Sequence, residues 1–404
     1  METYKITHLW QLGDGVADGP VFAPLTVPGD VVRGQLVADR LENVRIETPS
    51  DLRIKAACGH FKSCGGCSLQ HVQEDFVADW KAGAVRDALA GHGVETQVRT
   101  TLTSPAMSRR RATFAARRTK SGALAGFHMR GSDTVISVPK CVLLRPALVA
   151  ALPLCEALAV EGASRKQGLD ITITETSNGL DVAVSGGKPM AAPLRARLAL
   201  ISETYKLTRL VWNDEVAVLR APSPIVFDGV EVLLPPGAFL QATTHGETAL
   251  RACVAEIVGS ASRVVDLFAG CGTFALPLAR RAEVLAVEGA KDMVDALMQG
   301  WRHSSGLKDV RAEGRDLFRN PLLPEELRKQ DAAVIDPPRA GAAAQIQELG
   351  RSDIGVIAHV SCNPQTFARD AKALIDAGFV LDWVQPVDQF RWSHHVELVG
   401  AFRR

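Results

Sequence analysis

The sequence predicts a mixed α/β and β protein in three parts. They are an OB-like β-barrel, a central β-rich domain and a C-terminal Rossmann-like α/β domain. Short β-rich segments separated by glycine and proline turns fill residues 1–52. Residues 53–238 contain a cysteine cluster followed by mostly β-like segments. Residues 239–404 alternate strands and helices, which is typical of a doubly wound sheet.

The composition is that of an ordinary globular protein. Of 404 residues, 47% are hydrophobic and 23% are charged, which excludes a disordered or fibrous chain. Lys plus Arg total 46 and Asp plus Glu total 45, so any basic surface must be local. The most apolar stretch, residues 148–160, is interrupted by Pro153 and Glu156 and is too short to span a membrane. The first residues lack a secretory signal pattern, and we expect a cytoplasmic monomer.

The first 52 residues predict several short strands joined by tight turns. Gly13-Asp14-Gly15 and Pro28-Gly29-Asp30 have turn chemistry. This density of strands favours a closed barrel of the OB type, which often binds nucleic acid, although a generic small β-domain fits the pattern as well. The predicted strands are residues 4–6, 21–23, 31–37 and 43–46.

Four cysteines form the most distinctive spacing. Cys58, Cys64 and Cys67 lie in one glycine-containing loop, and Cys141 follows an intervening β region. Four thiolates suit a [4Fe–4S] cluster or a structural zinc ion. We favour the cluster, since zinc ribbons usually have paired C-x2-C knuckles, and unligated thiols are a third interpretation. With four cysteine ligands no iron is left open to substrate, which indicates a structural role.

A glycine turn follows the first strand of the α/β domain. The segment Val264 to Phe274 contains Gly270 and Gly272, which permit close approach of a ligand to the backbone. Asp266 lies inside this strand, and Glu288 ends the next one, where a carboxylate can accept hydrogen bonds from ribose hydroxyls. Either acid alone is better explained as a turn cap.

The third strand ends in Asp336, within Asp-Pro-Pro-Arg, and the two prolines stiffen the loop that holds this carboxylate at the crevice. Asp266, Glu288 and Asp336 together resemble the acidic set of S-adenosylmethionine-dependent methyltransferases more than that of dehydrogenases.

A cysteine stands at the end of a further strand. Cys362, within Ser-Cys-Asn-Pro, is predicted on the same edge as Asp336, although a lone cysteine there is more often structural. Uracil C5 is a poor nucleophile towards a methyl sulfonium, and addition of a thiolate at C6 raises the electron density at C5. A base must then remove the C5 proton. Glu397, within His-His-Val-Glu, offers that base, with His394 and His395 as alternatives.

These motifs resemble the RNA uracil-C5 methyltransferase family over nearly the full chain. The resemblance implies a TRAM-like barrel, a [4Fe–4S] site, Cys362 as nucleophile and Glu397 as base. It places further residues at cofactor- or substrate-binding positions: Gln241, Phe268, Gly270, Gly272, Thr273, Glu288, Asp316 and Asp336. Members with the cluster act mainly on 23S ribosomal RNA, which predicts a ribosomal substrate over transfer RNA.

Three segments depart from the family pattern. Thr273 stands where Asn is frequent, Ala242-Thr243 replaces Val-Asn, and Arg391-Trp392-Ser393 replaces a P-x-T segment. The departures affect cofactor contacts and target choice rather than the type of reaction.

Basic residues without acids fill the region 96–132. Such a stripe neutralises backbone phosphates, and Phe114 and Phe127 are predicted to stack on bases, although a solvated charge run is the usual explanation. The target uridine is expected to be flipped out of its stack. The basic residues are Arg99, Arg109, Arg110, Arg111, Arg117, Arg118, Lys120 and Arg130.

Two functions of other classes compete with this hypothesis. An amino-group methyltransferase also uses Asp-Pro-Pro motifs but needs no thiol, so it predicts a fully active Cys362→Ala variant. A non-catalytic RNA-binding protein with a metal cluster predicts no methyl transfer at all.

Overall fold

The structure, a computed structural model, describes residues 2–164 and 166–404. Its N-terminal strands form a closed barrel in the order β1-β2-β3-β5-β4, and β1 pairs with β4 to close it. Ile6, Val32 and Leu41 fill the interior. The barrel predicted from the sequence is thus confirmed. Its strands are β1 (Thr3–Leu9), β2 (Gly15–Ala17), β3 (Val21–Ala23), β4 (Val31–Val37) and β5 (Arg40–Thr48).

One helix and two short strands follow the cysteine loop. They are α1 (Glu74–Ala90), β6 (Gln97–Val98) and β7 (Leu102–Thr103). The buried residues of the helix recur at helical spacing, as at Val77, Lys81 and Val85. Its inner residues Val85 and Leu89 belong to the core of the C-terminal sheet, and β6 and β7 pair with that sheet's edge strand. This segment therefore belongs with the C-terminal part and not with the central domain to which we assigned it.

The central part is a seven-stranded sheet covered by helices on one face. Its order is β10-β9-β8-β11-β12-β13-β14, and Trp212 is fully buried against it. The elements are β8 (Arg111–Arg118), β9 (Ala123–His128), β10 (Val135–Ile136), α2 (Pro146–Ala150), α3 (Leu152–Gly162), β11 (Leu169–Thr176), β12 (Gly179–Ser185), α4 (Ala192–Thr204), β13 (Arg209–Trp212) and β14 (Glu215–Leu219).

A hairpin of β15 (Pro224–Phe227) and β16 (Val230–Leu233) comes next. Its side chains Phe227 and Val232 belong to the core cluster of the C-terminal sheet. The C-terminal part thus begins before residue 239, the boundary predicted from the sequence.

The C-terminal part is a mostly parallel sheet with helices on both faces. The order is β19-β18-β17-β20-β21-β23-β22-β6, with β23 antiparallel to its neighbours. The elements are α5 (Thr244–Val258), β17 (Arg263–Leu267), α6 (Ala275–Leu278), β18 (Glu283–Glu288), α7 (Lys291–Arg302), β19 (Val310–Gly314), α8 (Pro324–Leu327), β20 (Ala332–Ile335), α9 (Ala343–Arg351), β21 (Val356–Ser361), α10 (Pro364–Asp376), β22 (Val380–Asp388) and β23 (Glu397–Arg403).

Alternating residues of the central strands face two separate cores. Val264 and Val334 belong to one cluster, whereas Val265 and Ile335 belong to the other. Both faces of these strands are therefore covered, as expected for a doubly wound sheet. The open positions are left at the carboxyl edge, where ligands of such sheets bind. Within the described ranges, no helix has the length and apolar character needed to cross a bilayer.

Candidate active site

Functional side chains collect at one edge of the C-terminal sheet. The parallel strands β17, β18, β20 and β21 all end there. Asp336 follows β20 directly and Cys362 follows β21. Because β23 runs in the opposite direction, its first residue, Glu397, lies at the same edge. The strand directions bring Cys362 to the edge that holds Asp336, as the sequence predicts, and they bring Glu397 to the same edge.

The glycine turn after β17 leaves room next to its backbone. Gly270 has φ +55°, and a Cβ built on it would meet no heavy atom within 4 Å. Glu288 fixes the turn, because its carboxylate accepts hydrogen bonds from the amides of Gly270 and Ala290, each at 2.9 Å. Each carboxylate oxygen retains a lone pair for a second donor. Thr273 is half-buried just beyond Gly272.

Asp266 is the most unusual carboxyl group of the site. Its side chain is fully buried, and neither carboxylate oxygen has a hydrogen-bond partner among the described residues. Burial and the nearby Asp336 carboxylate raise the pKa of Asp266 well above its usual value. A buried carboxyl group without partners costs free energy, so this one is poised to receive a donor from a bound ligand.

Two phenylalanines border the other side of the turn. The rings of Phe268 and Phe318 lie 5.3 Å apart, and the Phe318 ring is half exposed. Phe268 has φ +61°, a conformation that bulky residues rarely adopt and that functional sites often retain. Asp316 lies nearby and accepts a hydrogen bond from the Phe318 amide at 3.0 Å. This apolar border with an acidic neighbour suits a flat heterocycle such as adenine.

Cys362 is half-buried between β21 and the N-terminus of α10. The next residue, Asn363, caps that helix and also donates to the Arg339 carbonyl at 3.1 Å. The Ser-Cys-Asn-Pro and Asp-Pro-Pro-Arg segments are thereby joined. Burial raises the pKa of the Cys362 thiol to about 11, with further contributions from Glu397 and Asp336. In the free protein the thiol is therefore protonated.

Glu397 is almost completely buried. Burial raises the pKa of its carboxyl group to about 8, and the Asp336 charge adds to this shift. Burial also raises the pKa of Asp336, to about 7. A carboxylate with a pKa near the working pH is well suited to accept a proton from carbon. Glu397 at the start of β23 and Cys362 just after β21 lie on neighbouring strands, and the charge of Glu397 adds to the raised pKa of Cys362.

A chain of side-chain amides links the acids. Gln241 Nε2 donates to Asp336 Oδ2 at 3.4 Å. Gln389 Nε2 donates to Gln241 Oε1 at 2.5 Å and to Glu397 Oε1 at 3.1 Å. Gln389 Oε1 accepts from the Ala242 amide at 2.8 Å. The hydrogen bonds run from Asp336 through both glutamines to Glu397, and they orient the Gln241 amide beside the thiol pocket.

Sequence reasoning missed Gln389. The usable signal was its position, because it directly follows β22 at the same sheet edge as the other site residues. It is also almost completely buried, which the sequence alone does not show.

The two adjacent histidines line the same region. Their rings are 4.0 Å apart, and Arg339 approaches His395 Nδ1 at 3.2 Å. Burial lowers the pKa of His395 to about 4 and lowers that of His394 as well. Both imidazoles are therefore neutral near pH 7.

The four cysteines of the predicted metal site come from separate segments to one place. Cys58, Cys67 and Cys141 belong to an apolar cluster that includes Trp392. Burial raises the pKa of Cys67 to about 12, and the charges of the other three thiolates, Cys64 included, add to the shift. Within residues 2–164 and 166–404, no group of three His, Cys, Asp or Glu side chains is arranged to hold a single metal ion. A cubane of four irons separates its ligands more widely than one ion does.

Only some residues of the predicted basic stripe are exposed. Arg110 is buried and pairs with Glu247. Arg99 pairs with Glu256 and stacks over Trp383. The exposed members are Arg117, Arg118 and Lys120.

For Phe114, the predicted role of stacking on bases is wrong. Phe114 is fully buried and stacks on Phe127 at 5.2 Å inside the core of the central sheet. Neither a base nor any other ligand can reach the Phe114 ring.

Comparison with known proteins identifies the family. Residues 313–403, which include Asp336, Cys362 and Glu397, match the family model described as tRNA (Uracil-5-)-methyltransferase. The chain is 43% identical, over 100% of both chains, to an uncharacterized RNA methyltransferase of Caulobacter vibrioides. The chain belongs to the RNA (uracil-C5) methyltransferase family.

Two further proteins are similar to this methyltransferase, one in sequence and one in structure. It is 32% identical to the 23S rRNA (uracil(1939)-C(5))-methyltransferase RlmD of Shewanella halifaxensis, over 98% of this chain and 94% of that protein. Its fold matches the Pyrococcus abyssi tRNA (uracil-54, C5)-methyltransferase, solved in complex with S-adenosyl-L-homocysteine. That likeness has a TM-score of 0.77, 22% identity and 99% coverage of both chains.

Proposed function

We propose that this methyltransferase transfers a methyl group to C5 of a uridine in 23S ribosomal RNA. The observation that carries the proposal is the meeting of Asp336, the half-buried Cys362 thiol and the buried Glu397 carboxyl group at one edge of the sheet. The substrate follows the relative that is 32% identical over nearly the whole chain and named for 23S rRNA. The tRNA enzyme of similar structure is only 22% identical and supports the fold alone.

The residues act in sequence on the pyrimidine ring. The Cys362 thiol gives its proton to water and its sulfur bonds to C6. The electron pair of the C5–C6 double bond moves into the enolate, which makes C5 nucleophilic. S-adenosylmethionine supplies the methyl group as a sulfonium. Glu397 then removes the C5 proton, and the ring expels Cys362 as the C5–C6 double bond returns. The Gln241 amide, fixed by Gln389 and Asp336, orients the uracil edge.

The cofactor residues have separate tasks in this proposal. The unpartnered Asp266 carboxyl group and Glu288 receive donors of the cofactor. Phe268, with Asp316 nearby, borders the adenine. Gly270 leaves open space for close approach of the cofactor to the backbone. A Cβ at Gly272 would instead meet Leu276 and Leu297, so Gly272 and the adjacent Thr273 shape the turn beside the cofactor.

A second part of the proposal concerns the metal. Cys58, Cys64, Cys67 and Cys141 hold a [4Fe–4S] cluster with a structural role, in keeping with Cys₄ ligation of such clusters. The packing of the four cysteines supports it, because Cys58, Cys67 and Cys141 lie in one apolar cluster and Cys64 and Cys141 share a second. Iron and acid-labile sulfide should each be present at about four per chain after anaerobic purification. Stoichiometric zinc without sulfide would contradict the cluster.

The decisive experiment maps 5-methyluridine in cells that lack the protein. We expect loss of the modification at one or two positions of 23S rRNA, with transfer RNA unchanged. Purified protein and tritiated S-adenosylmethionine should restore the label on rRNA from those cells. Loss confined to transfer RNA would overturn the substrate assignment. Full activity of a Cys362→Ala variant would instead favour methylation of an amino group.

A further inference from the structure

A cavity of about 600 Å³ lies between the N-terminal barrel and the cysteine loop, away from the sheet edge that holds Cys362. Its volume is in the range of small-molecule sites. The walls are apolar and include Leu25, Val44 and Phe61. Ile46 of the barrel and Ile54 beyond it form the outer lip, and both side chains are about 40% exposed. Nothing in the proposed methyl transfer uses this space.

One buried polar atom gives the cavity a chemical preference. His71 lines it, is only 4% exposed, and has no hydrogen-bond partner for Nδ1 among the described residues. Its other nitrogen, Nε2, lies 3.4 Å from the Thr26 carbonyl, which can only accept. Nε2 therefore carries the proton and Nδ1 offers a lone pair. Burial lowers the pKa of His71 to about 4, which keeps the ring neutral.

The charge at the mouth favours an anionic ligand. Lys55 and Lys62 line the cavity and are exposed. Arg53 also lines it, but its charge is matched by Asp30 at 2.5 Å. No acidic side chain lines the cavity within the described part of the chain. A flat apolar group that carries N–H donors and a phosphate would meet the walls, His71 and the two lysines.

We propose that this cavity binds an unpaired nucleobase of the substrate RNA, at a nucleotide other than the methylated uridine. The base lies against Phe61, its N–H edge donates to His71 Nδ1, and its phosphate faces Lys55 and Lys62. A base in a helix has its donors engaged in pairing, so the site selects a looped-out nucleotide. The proposal rests on the proposed function only in taking the ligand to be RNA.

The location couples this pocket to the active site. Phe61 and Leu25 share an apolar cluster with Trp392, which immediately precedes the Ser393-His394-His395 segment. The Trp392 carbonyl accepts hydrogen bonds from the Ser68 and Leu69 amides at 2.7 and 2.9 Å. Base binding therefore braces the loop that leads into Glu397. Two anchored nucleotides also fix the register of the RNA, which one flipped uridine does not.

The test compares two barrel variants of the full chain. Ile46→Asp puts a negative charge at the lip, whereas Leu36→Asp, at a similarly exposed barrel residue outside the cavity, is the matched control. Binding of single-stranded oligo-A, oligo-C and oligo-U is measured by fluorescence anisotropy. We expect Ile46→Asp to weaken binding of the preferred oligomer about tenfold, the scale of one stacked base. Leu36→Asp should bind the oligomer as the wild type does. An A·U duplex, whose bases are paired, should bind to the wild type more weakly than the preferred oligomer.

A direct readout avoids reliance on one substitution. In protein labelled with ¹⁵N at histidine, the preferred oligomer should shift the Nδ1 resonance of His71, assigned through the His71→Gln variant. An unchanged Nδ1 resonance, or equal oligomer binding by Ile46→Asp and Leu36→Asp, overturns the proposal that this cavity binds a nucleobase. The cavity would then bind a protein ligand or no ligand. Methyl transfer to rRNA is measured on the same samples. Its persistence in that case leaves the proposed function standing, whereas oligomer binding without any methyl transfer removes only the proposed function.

Discussion

Gln389 Nε2 donates a hydrogen bond to Glu397 Oε1 at 3.1 Å, inside a pocket where both side chains are at most 3% exposed. This bond favours the ionised carboxylate and opposes part of the pKa increase that burial produces. The same amide nitrogen donates to Gln241. Gln389 thus ties the protonation state of Glu397 to the orientation of the Gln241 amide.

Replacing Gln389 with Leu should therefore shift the pH dependence of methyl transfer. Loss of the donor raises the pKa of Glu397, so the ascending limb of the kcat/KM profile moves to higher pH. At pH 7 we expect a loss of roughly tenfold, comparable to one hydrogen bond to a charged group. The measurement is kcat/KM for tritiated methyl transfer to rRNA between pH 6 and 9.

Gln385→Leu is the matched control for this variant. Gln385 is a buried amide of the same strand, but it donates to the Thr100 carbonyl at 2.6 Å and contacts none of the site residues named above. It should lower stability without moving the pH profile. An unshifted profile in Gln389→Leu would show that Gln389 has only a packing role.

Glu397→Gln should trap the RNA on the protein. In the proposed mechanism, addition of Cys362 and methyl transfer precede removal of the C5 proton, so the amide variant should stop after both steps. We expect a covalent protein–rRNA complex that survives denaturation on a gel, with turnover reduced about a thousandfold or more. The variant Glu397→Gln/Cys362→Ala should form no such complex. If the double variant forms the complex as well, the attachment site is not Cys362.

The free protein should lose stability as the pH rises through the range of Glu397. Its pKa is raised from 4.5 to about 8 by folding, so the folded state holds more protons than the unfolded state between those values. Stability therefore falls with increasing pH across this window. From pH 5 to 8 this carboxyl group alone costs on the order of 4 kcal/mol.

Thermal unfolding of Glu397→Gln over the same pH range checks this effect. The variant should be more stable than the wild type at pH 8, and the two should converge towards pH 5. Because Asp336 has a pKa of about 7 for the same reason, some decrease should remain in the variant. Parallel curves for the two proteins would show that Glu397 is ionised in the free protein throughout.

Replacing Asp266 with Leu should raise the stability of the free protein and lower its affinity for the cofactor. Its carboxyl group is buried without partners, so Asp266→Leu removes a desolvation cost and is expected to raise the melting temperature of the free protein. The same change removes an acceptor for the cofactor and should weaken binding of S-adenosylhomocysteine about tenfold to a hundredfold. Calorimetric titration and thermal unfolding measure the two effects. Unchanged cofactor affinity would exclude Asp266 from the site.

Most of the site can be predicted from the sequence, because the directions of the strands bring its residues together. Residues that follow parallel strands, such as Asp336 and Cys362, meet at one edge of the sheet, and this does not depend on the conformation of the loops. The same reasoning fails where a partner lies far away in the chain. The sequence predicts Arg110 as an RNA contact, but Glu247, 137 residues further on, pairs with its charge inside the protein. The sequence predicts that Phe114 stacks on bases, but only the three-dimensional sheet shows which face of β8 is covered.

Lys81 and Asp388 form a buried ion pair beside the site. Breaking this pair should lower the stability of the protein. Their charged atoms are 2.6 Å apart, and the two side chains are 0% and 1% exposed. Asp388 directly precedes Gln389, so the pair anchors the end of β22 to α1. Lys81→Met leaves a buried charge without its partner, which should lower the free energy of unfolding by about 3–5 kcal/mol.

Urea unfolding of three variants separates this cost from a general effect of removing lysine. Lys372→Met breaks an exposed pair with Asp376 and should change stability by less than about 0.5 kcal/mol. Lys81→Met/Asp388→Leu removes both buried charges and should recover most of the loss, because two apolar side chains need no partner. If the double variant is no more stable than Lys81→Met, the loss comes from packing around the lysine stem. Recovery of stability together with a lasting rise in KM would show that the ion pair also positions Gln389.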